Sequence, residues 1–207
     1  MRRAFRWIAL VGGLLIVTLD WGSAVSAPPA APRAVIETFY RTLIDVMKHA
    51  STLGFAGRYR ELKPAIEEAY NMPLMIRLAV GPQWNTLSPD QQKRLLDAFE
   101  SFTISTYANR FDGYEGEFFE VRSEKSGVAG GATMVETRLV PQKGDPVDLN
   151  YMLRSDSGRW QIIDVFLSGT ISELATRRAE FTSVLRRDGA EGLVAMLERK
   201  VADLTPR

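Results

Sequence analysis

Between Glu117 and Leu167 four segments rich in apolar, β-branched and aromatic residues follow one another, with turn residues filling each gap. They run Glu117 to Ser123, Thr133 to Val140, Val147 to Arg154 and Arg159 to Leu167, and the separators are KSGVAGG, PQKGDP and SDSG. This pattern predicts four strands joined by short connections. A parallel crossover needs a dozen residues or more, so such closely spaced strands run antiparallel. The rest of the chain has to pack around that meander.

On either side the rhythm is helical. Val35, Ile36, Phe39, Tyr40, Leu43, Ile44, Met47 and Ala50 recur at steps of three and four, which predicts a first helix ending near Gly54. Residues 58 to 80 predict two shorter helices, broken at Asn71-Met72-Pro73. Ser88-Pro89-Asp90-Gln91 combines a serine cap, proline in the first turn and glutamine at the capping-box position. The helix it starts runs to about Phe111, with Leu95, Leu96, Phe99, Phe102, Thr103 and Tyr107 along one side. Thr170-Ile171-Ser172-Glu173 offers a second capping box; a helix follows to about Arg187, and a last one follows the break at Asp188-Gly189. Helices, sheet and helices again predict an α+β fold with helices packed on one face of the sheet.

Chemistry is sparse. The sequence has no cysteine, which excludes disulfides, thiolate metal sites and cysteine nucleophiles, and it has one histidine, His49. A metal cluster is therefore not expected, and His49 reads as a structural residue of the first helix. No serine sits in a nucleophile elbow, and no cofactor motif is present. Asp112, Glu115, Glu117 and Glu120 lack calcium-loop spacing and read as a solvated turn or a docking patch for a partner protein.

One carboxylate stands out. Asp164 lies in the middle of the apolar strand IIDVFL. In a regular strand it shares a face with Trp160, Ile162 and Phe166, while Ile163, Val165 and Leu167 point the other way. Both faces are apolar, so an ionised Asp164 must be paired or hydrogen-bonded. Two readings follow. As a brace it holds Arg177, Arg178 or the N–H groups at the start of the next helix; as a general base it works on a substrate in an apolar cup.

The N-terminus has the order of a secretory signal: Arg2, Arg3 and Arg6, then thirteen uncharged residues from Trp7 to Leu19, then WGSAVSA. That run is too short to span a membrane. Cleavage after Ala24 leaves residues 25–32 as a Pro/Ala-rich lead-in and 33–204 as one domain. Arg2-Arg3-Ala4-Phe5 hints at the twin-arginine pattern, but ordinary secretion fits a chain without a preloaded cofactor. Removing three arginines and Asp20 takes the formal charge from +1 to −1. Nucleic acid is therefore not an expected partner, and the mature protein is expected to be soluble in the periplasm.

Trp160-x-Ile162-x-Asp164-Val165, followed by Gly169, Ser172, Arg178 and Phe181, resembles the closing signature of the MlaC family of periplasmic lipid carriers. Thr106-Tyr107-Ala108, with Tyr114 and Gly116, resembles that family's central helix and its exit. The stretches MKHASTLGFAGRYRELKP, VGPQW, TYANRFDGYEGE and DVFLSGTISELATRRAEF are similar to its hopanoid-associated branch, HpnM. The likeness spans roughly residues 33 to 200, with one extra residue between Gly169 and Ser172. It implies an MlaC-like or NTF2-like fold around an apolar cavity. It also implies a hopanoid or phospholipid ligand, moved between inner and outer membranes with an RND-type or ABC-type inner-membrane transporter as partner. Burying a CH₂ is worth about 0.8 kcal/mol, so a lipid of roughly 30 carbons gains on the order of 20 kcal/mol gross in such a cavity.

The apolar faces of the elements that should wrap the cavity supply candidate ligand contacts. They are Phe55, Tyr59 and Leu62; Met75, Leu78 and Trp84; Phe99 and Phe102; and Tyr151, Leu153, Trp160 and Ile162. Asp164 and Arg178 are expected to be structural, with no catalytic residue and no cofactor. The alternatives are an NTF2-like isomerase or cyclase-like enzyme using Asp164 on a polycyclic lipid, and a ligand-free assembly factor that binds a membrane transporter.

Overall fold

The computed structural model describes residues 31–156 and 158–206; the expected signal segment and most of the lead-in lie outside them. Five helices and five strands follow in the order α1 (Pro32–Lys48), α2 (Ala50–Ala69), α3 (Met72–Val80), α4 (Pro89–Arg110), β1 (Phe118–Val128), β2 (Ala132–Val140), β3 (Val147–Asp156), β4 (Arg159–Leu167), β5 (Ile171–Ser172) and α5 (Glu173–Leu204). Each strand pairs antiparallel with the next, so the sheet order is β1-β2-β3-β4-β5. The α+β class and the meander agree with the sequence reading.

The sheet has five strands, not four. Ser168 (φ 49°) and Gly169 (φ 76°) both take left-handed conformations, and Thr170 N–H donates to the Leu167 carbonyl at 3.2 Å. That is the tight hairpin turn with positive φ at both central positions. It folds Ile171 and Ser172 back on Leu167 and Phe166. Two residues are too few to show a period. Because they are used as a strand, α5 starts later than Thr170 suggested. Ser172 is the cap, its hydroxyl accepting from Ala175 N–H at 2.9 Å.

The helical half also differs in one place. The first helix ends at Lys48 rather than near Gly54, and His49 forms the joint to α2. Its ring nitrogen lies 2.9 Å from the Asp45 carbonyl. Gly54 is a second break inside α2, at φ 58° and ψ −177°, a backbone that a side chain would strain. The break at Asn71 and the kink at Gly189 fall where the sequence placed them.

At the start of α4 the Ser88 hydroxyl accepts from Gln91 N–H at 3.2 Å, and the Gln91 side chain accepts from Ser88 N–H at 3.0 Å. The helices cover one face of the sheet. On β2, Thr133, Val135 and Thr137 are buried beneath them, while Met134, Glu136 and Arg138 are only half-buried. The core joins Ile36, Phe39 and Leu43 of α1 to Leu62, Ile76, Leu95, Ile162 and Phe181. Buried Arg58 ties α2 to the end of α4, donating to the Ala108 carbonyl at 2.8 Å and the Ala50 carbonyl at 3.1 Å. A cation suits that site because helix C-terminal carbonyls carry partial negative charge.

Candidate functional site: an apolar cavity between α4 and the sheet

A cavity of about 110 Å³ lies between α4 and strands β3 and β4, closed at one side by the first turns of α5. One wall is a stripe of α4: Phe99, Phe102, Thr103, Thr106, Tyr107 and Arg110, with Phe111 just beyond. Steps of three and four put these residues on one helix face. The Thr103 hydroxyl donates to the Phe99 carbonyl at 2.9 Å, and Thr106 donates to the Phe102 carbonyl at 2.8 Å. With those protons bound within the helix, the threonines contribute mainly their methyl groups to the wall.

The opposite wall is Leu149 and Tyr151 of β3 with Val165 and Leu167 of β4. A bulge in β4 creates it. Leu149 pairs with Leu167 and Tyr151 with Val165, but Leu153 pairs with Ile162, leaving Ile163 as an extra residue. The extra residue reverses the phase of the strand, so Ile162, Val165 and Leu167 share a face and Asp164 falls on the other. The regular alternation expected from sequence, with Asp164 beside Ile162, is therefore overturned.

Asp164 is absent from the cavity wall. One carboxylate oxygen accepts from the N–H groups of Val165 (2.8 Å) and Leu174 (3.0 Å). The other accepts from the Ser172 hydroxyl at 2.6 Å. These bonds tie β4 to β5 and to the first turn of α5, where a negative charge is favourable. Neither arginine expected as a partner fills that role. Arg177 pairs instead with Glu173 at 3.4 Å, and Arg178 lies by Gly81, in a groove between the 3₁₀ turn after α3 and α5.

The cavity floor is polar in one spot. Tyr70, Tyr107 and Tyr151 line it, and Tyr40 stands behind. The Leu149 carbonyl can only accept, so the Thr137 hydroxyl donates there, and Tyr40 donates to Thr137 at 2.5 Å. The hydroxyls of Tyr70 and Tyr107 bond each other. Burial pushes the phenol pKa of all four tyrosines upward, keeping them neutral.

Charge collects at the α5 side. The Arg177 guanidinium lies 4.5 Å from the centre of the Phe102 ring, a cation–π contact. Burial lowers its pKa, with the Glu173 and Glu180 carboxylates opposing that shift and the Arg110 cation adding to it. No group of His, Cys, Asp and Glu among the described residues could hold a metal ion. In the acidic turn, Glu117 accepts from Glu115 N–H at 2.6 Å.

Of the residues singled out from sequence, the structure brings Met75, Phe99, Phe102 and Tyr151 to the cavity. Leu62, Leu153 and Ile162 are fully buried in the core. Phe55, Tyr59, Trp84 and Trp160 pack half-buried against it, and Leu78 is 38 % exposed. As ligand contacts, sequence reasoning missed Tyr70, Thr103, Thr106, Tyr107, Arg110, Phe111, Leu149, Val165, Leu167, Glu173, Leu174 and Arg177. The α4 stripe was legible as a periodicity. Val165 and Leu167 were hidden by the bulge, and the charged pair by the assumption that an apolar cavity has an apolar rim.

The family model for "MlaC protein" matches residues 37–199, most of the chain. The chain belongs to the MlaC family. Among solved structures, this MlaC-family chain resembles a phospholipid-binding protein from Ralstonia solanacearum, solved in complex with a phospholipid. The TM-score is 0.74 at 22% identity, over 84% of this chain and 99% of that one, which shows a shared fold. No helix among the described residues is long and apolar enough to cross a membrane.

Proposed function

We propose that this MlaC-family protein is a periplasmic lipid carrier. It takes the apolar part of one lipid between α4 and the sheet and ferries it between inner and outer membranes. An inner-membrane transporter of the RND or ABC type loads or unloads it. The observation that carries this reading is the aromatic and aliphatic lining of a cavity whose hydroxyls are largely engaged. The phospholipid held by the Ralstonia protein on the same fold supports it.

At about 110 Å³ the cavity is smaller than the roughly 300–1,000 Å³ of pockets for drug-sized ligands. Loading therefore parts α4 and α5 from the strands they cover. A hopanoid stands beside phospholipids as candidate cargo through the sequence likeness to the HpnM branch. The enzyme reading has no observation in its favour, because Asp164 is engaged by three donors away from the cavity wall.

The test is lipid retention. Delipidated, folded protein incubated with vesicles containing phospholipids and a hopanoid should retain about one lipid per chain by mass spectrometry, unmodified. Retention of neither class overturns the carrier reading; a converted product revives the enzyme.

A further inference from the structure

Arg177 is an unusual lining for a lipid cavity. Its side chain is 22 % exposed, it stacks on Phe102, and its acidic contact is one Glu173 oxygen at 3.4 Å. A planar guanidinium carries five N–H donors, and that long contact leaves most of them unused. Arg110 lies on the same cavity from the C-terminal turn of α4. None of the ion pairs among the described residues engages it. Two cations and one carboxylate thus line one end of the cavity, and Glu180, paired with Lys200 at 2.8 Å, adds a second carboxylate near Arg177. A guanidinium fork gains more from an acceptor that takes two of its N–H groups at once than from one long contact.

We infer that Arg110 and Arg177 form a seat for the anionic head of the bound lipid. Arg177 presents its fork to a phosphate oxygen pair, and Arg110 closes over the outer side. Glu173 holds Arg177 in place while the seat is empty and yields when a stronger acceptor arrives. The apolar body of the lipid then extends from the seat along the α4 stripe. This assignment rests on the carrier reading and narrows its ligand to lipids with a phosphate or an equivalent anion. A neutral hopanoid would leave the seat unfilled.

The experiment compares dioleoyl phosphatidic acid with dioleoylglycerol, which has the same chains and no phosphate. Each is delivered from cyclodextrin, and retention is read by mass spectrometry. The wild type should favour phosphatidic acid by about ten- to a hundredfold. Arg110→Gln/Arg177→Gln should retain the two lipids alike. If the double variant fails to fold, Arg177→Lys, which keeps the charge but not the fork, should lose part of the preference. Equal retention by the wild type, or an unchanged preference in the variants, overturns the seat and leaves the carrier reading standing. Retention of neither lipid also overturns the seat, and the carrier reading falls with it only where a hopanoid is not retained either. Calorimetry with inorganic phosphate separates the remaining case. Tight phosphate binding that depends on both arginines, with no preference between the lipids, assigns the pair to a free anion and overturns the head-group seat.

Discussion

Asp164 shows what one side chain does in this fold. Its three donors belong to β4, β5 and the first turn of α5, so the carboxylate fixes where the last helix leaves the sheet. Asp164→Ala removes the acceptor from all three, and the expected loss is about 3 kcal/mol, since hydrogen bonds to a charged group are each worth roughly 1.5–3 kcal/mol and do not add fully. Asp164→Asn keeps one acceptor oxygen and should lose about half as much; denaturant unfolding of the three proteins gives the comparison. An Asn variant as stable as the wild type would sink the brace. The tyrosines make a second case. In the unfolded chain a phenol ionises near pH 10, whereas burial of Tyr40, Tyr70, Tyr107 and Tyr151 holds each neutral beyond that point. Above pH 10 the unfolded state has therefore released protons that the folded state retains, and stability falls as pH rises. Each tyrosine that stays protonated in the folded state contributes about 1.4 kcal/mol of loss per pH unit above pH 10. Melting curves from pH 8 to 11 should show that fall, with phenolate absorbance from the cluster emerging only on unfolding. Early ionisation in the folded protein would contradict the burial.

Elements divide by how openly their residues announce them. Helix α4 is legible from end to end, because serine, proline and glutamine mark its start and an apolar stripe gives its period. Ser88→Ala deletes the hydroxyl half of the capping box and should cost about 1 kcal/mol. The cavity wall begins at Phe99, about three turns further on, so lipid retention should not change. Chemical denaturation paired with the retention assay checks both halves; a variant that unfolds normally but loses lipid would show that the cap acts on the cavity. Strand β4 is the opposite case. Its limits, Arg159 to Leu167, are as the sequence drew them, yet its faces are not. Nothing in IIDVFL distinguishes a regular strand from one carrying a bulge at Ile163, because apolar residues stand on both sides of Asp164 in either phase. The turn at Ser168-Gly169 hides β5 for a related reason: two paired residues leave no period to detect.

At the scale of the whole molecule, the α+β class and the meander were legible because turn residues and hydrophobic period act locally. The cavity was less so, because it depends on which faces meet. Met75 and Tyr151 reach it, while Leu62 and Leu153, equally apolar, fill the core instead. The narrowness of that space has a consequence for what counts as the folded protein. Closed fully over dry apolar walls, a void of 110 Å³ would cost about 2.6 kcal/mol, at roughly 24 cal/mol per Å³. A dry void of 1,000 Å³ would cost roughly 24 kcal/mol, more than the 5–15 kcal/mol that holds a typical domain together. A carrier of this build cannot keep an open berth waiting; it must close when it unloads and be wedged apart when it loads. The cargo then takes over packing that side chains supplied a moment before. On the carrier reading the gene encodes a socket, and the membrane supplies the missing piece of the interior.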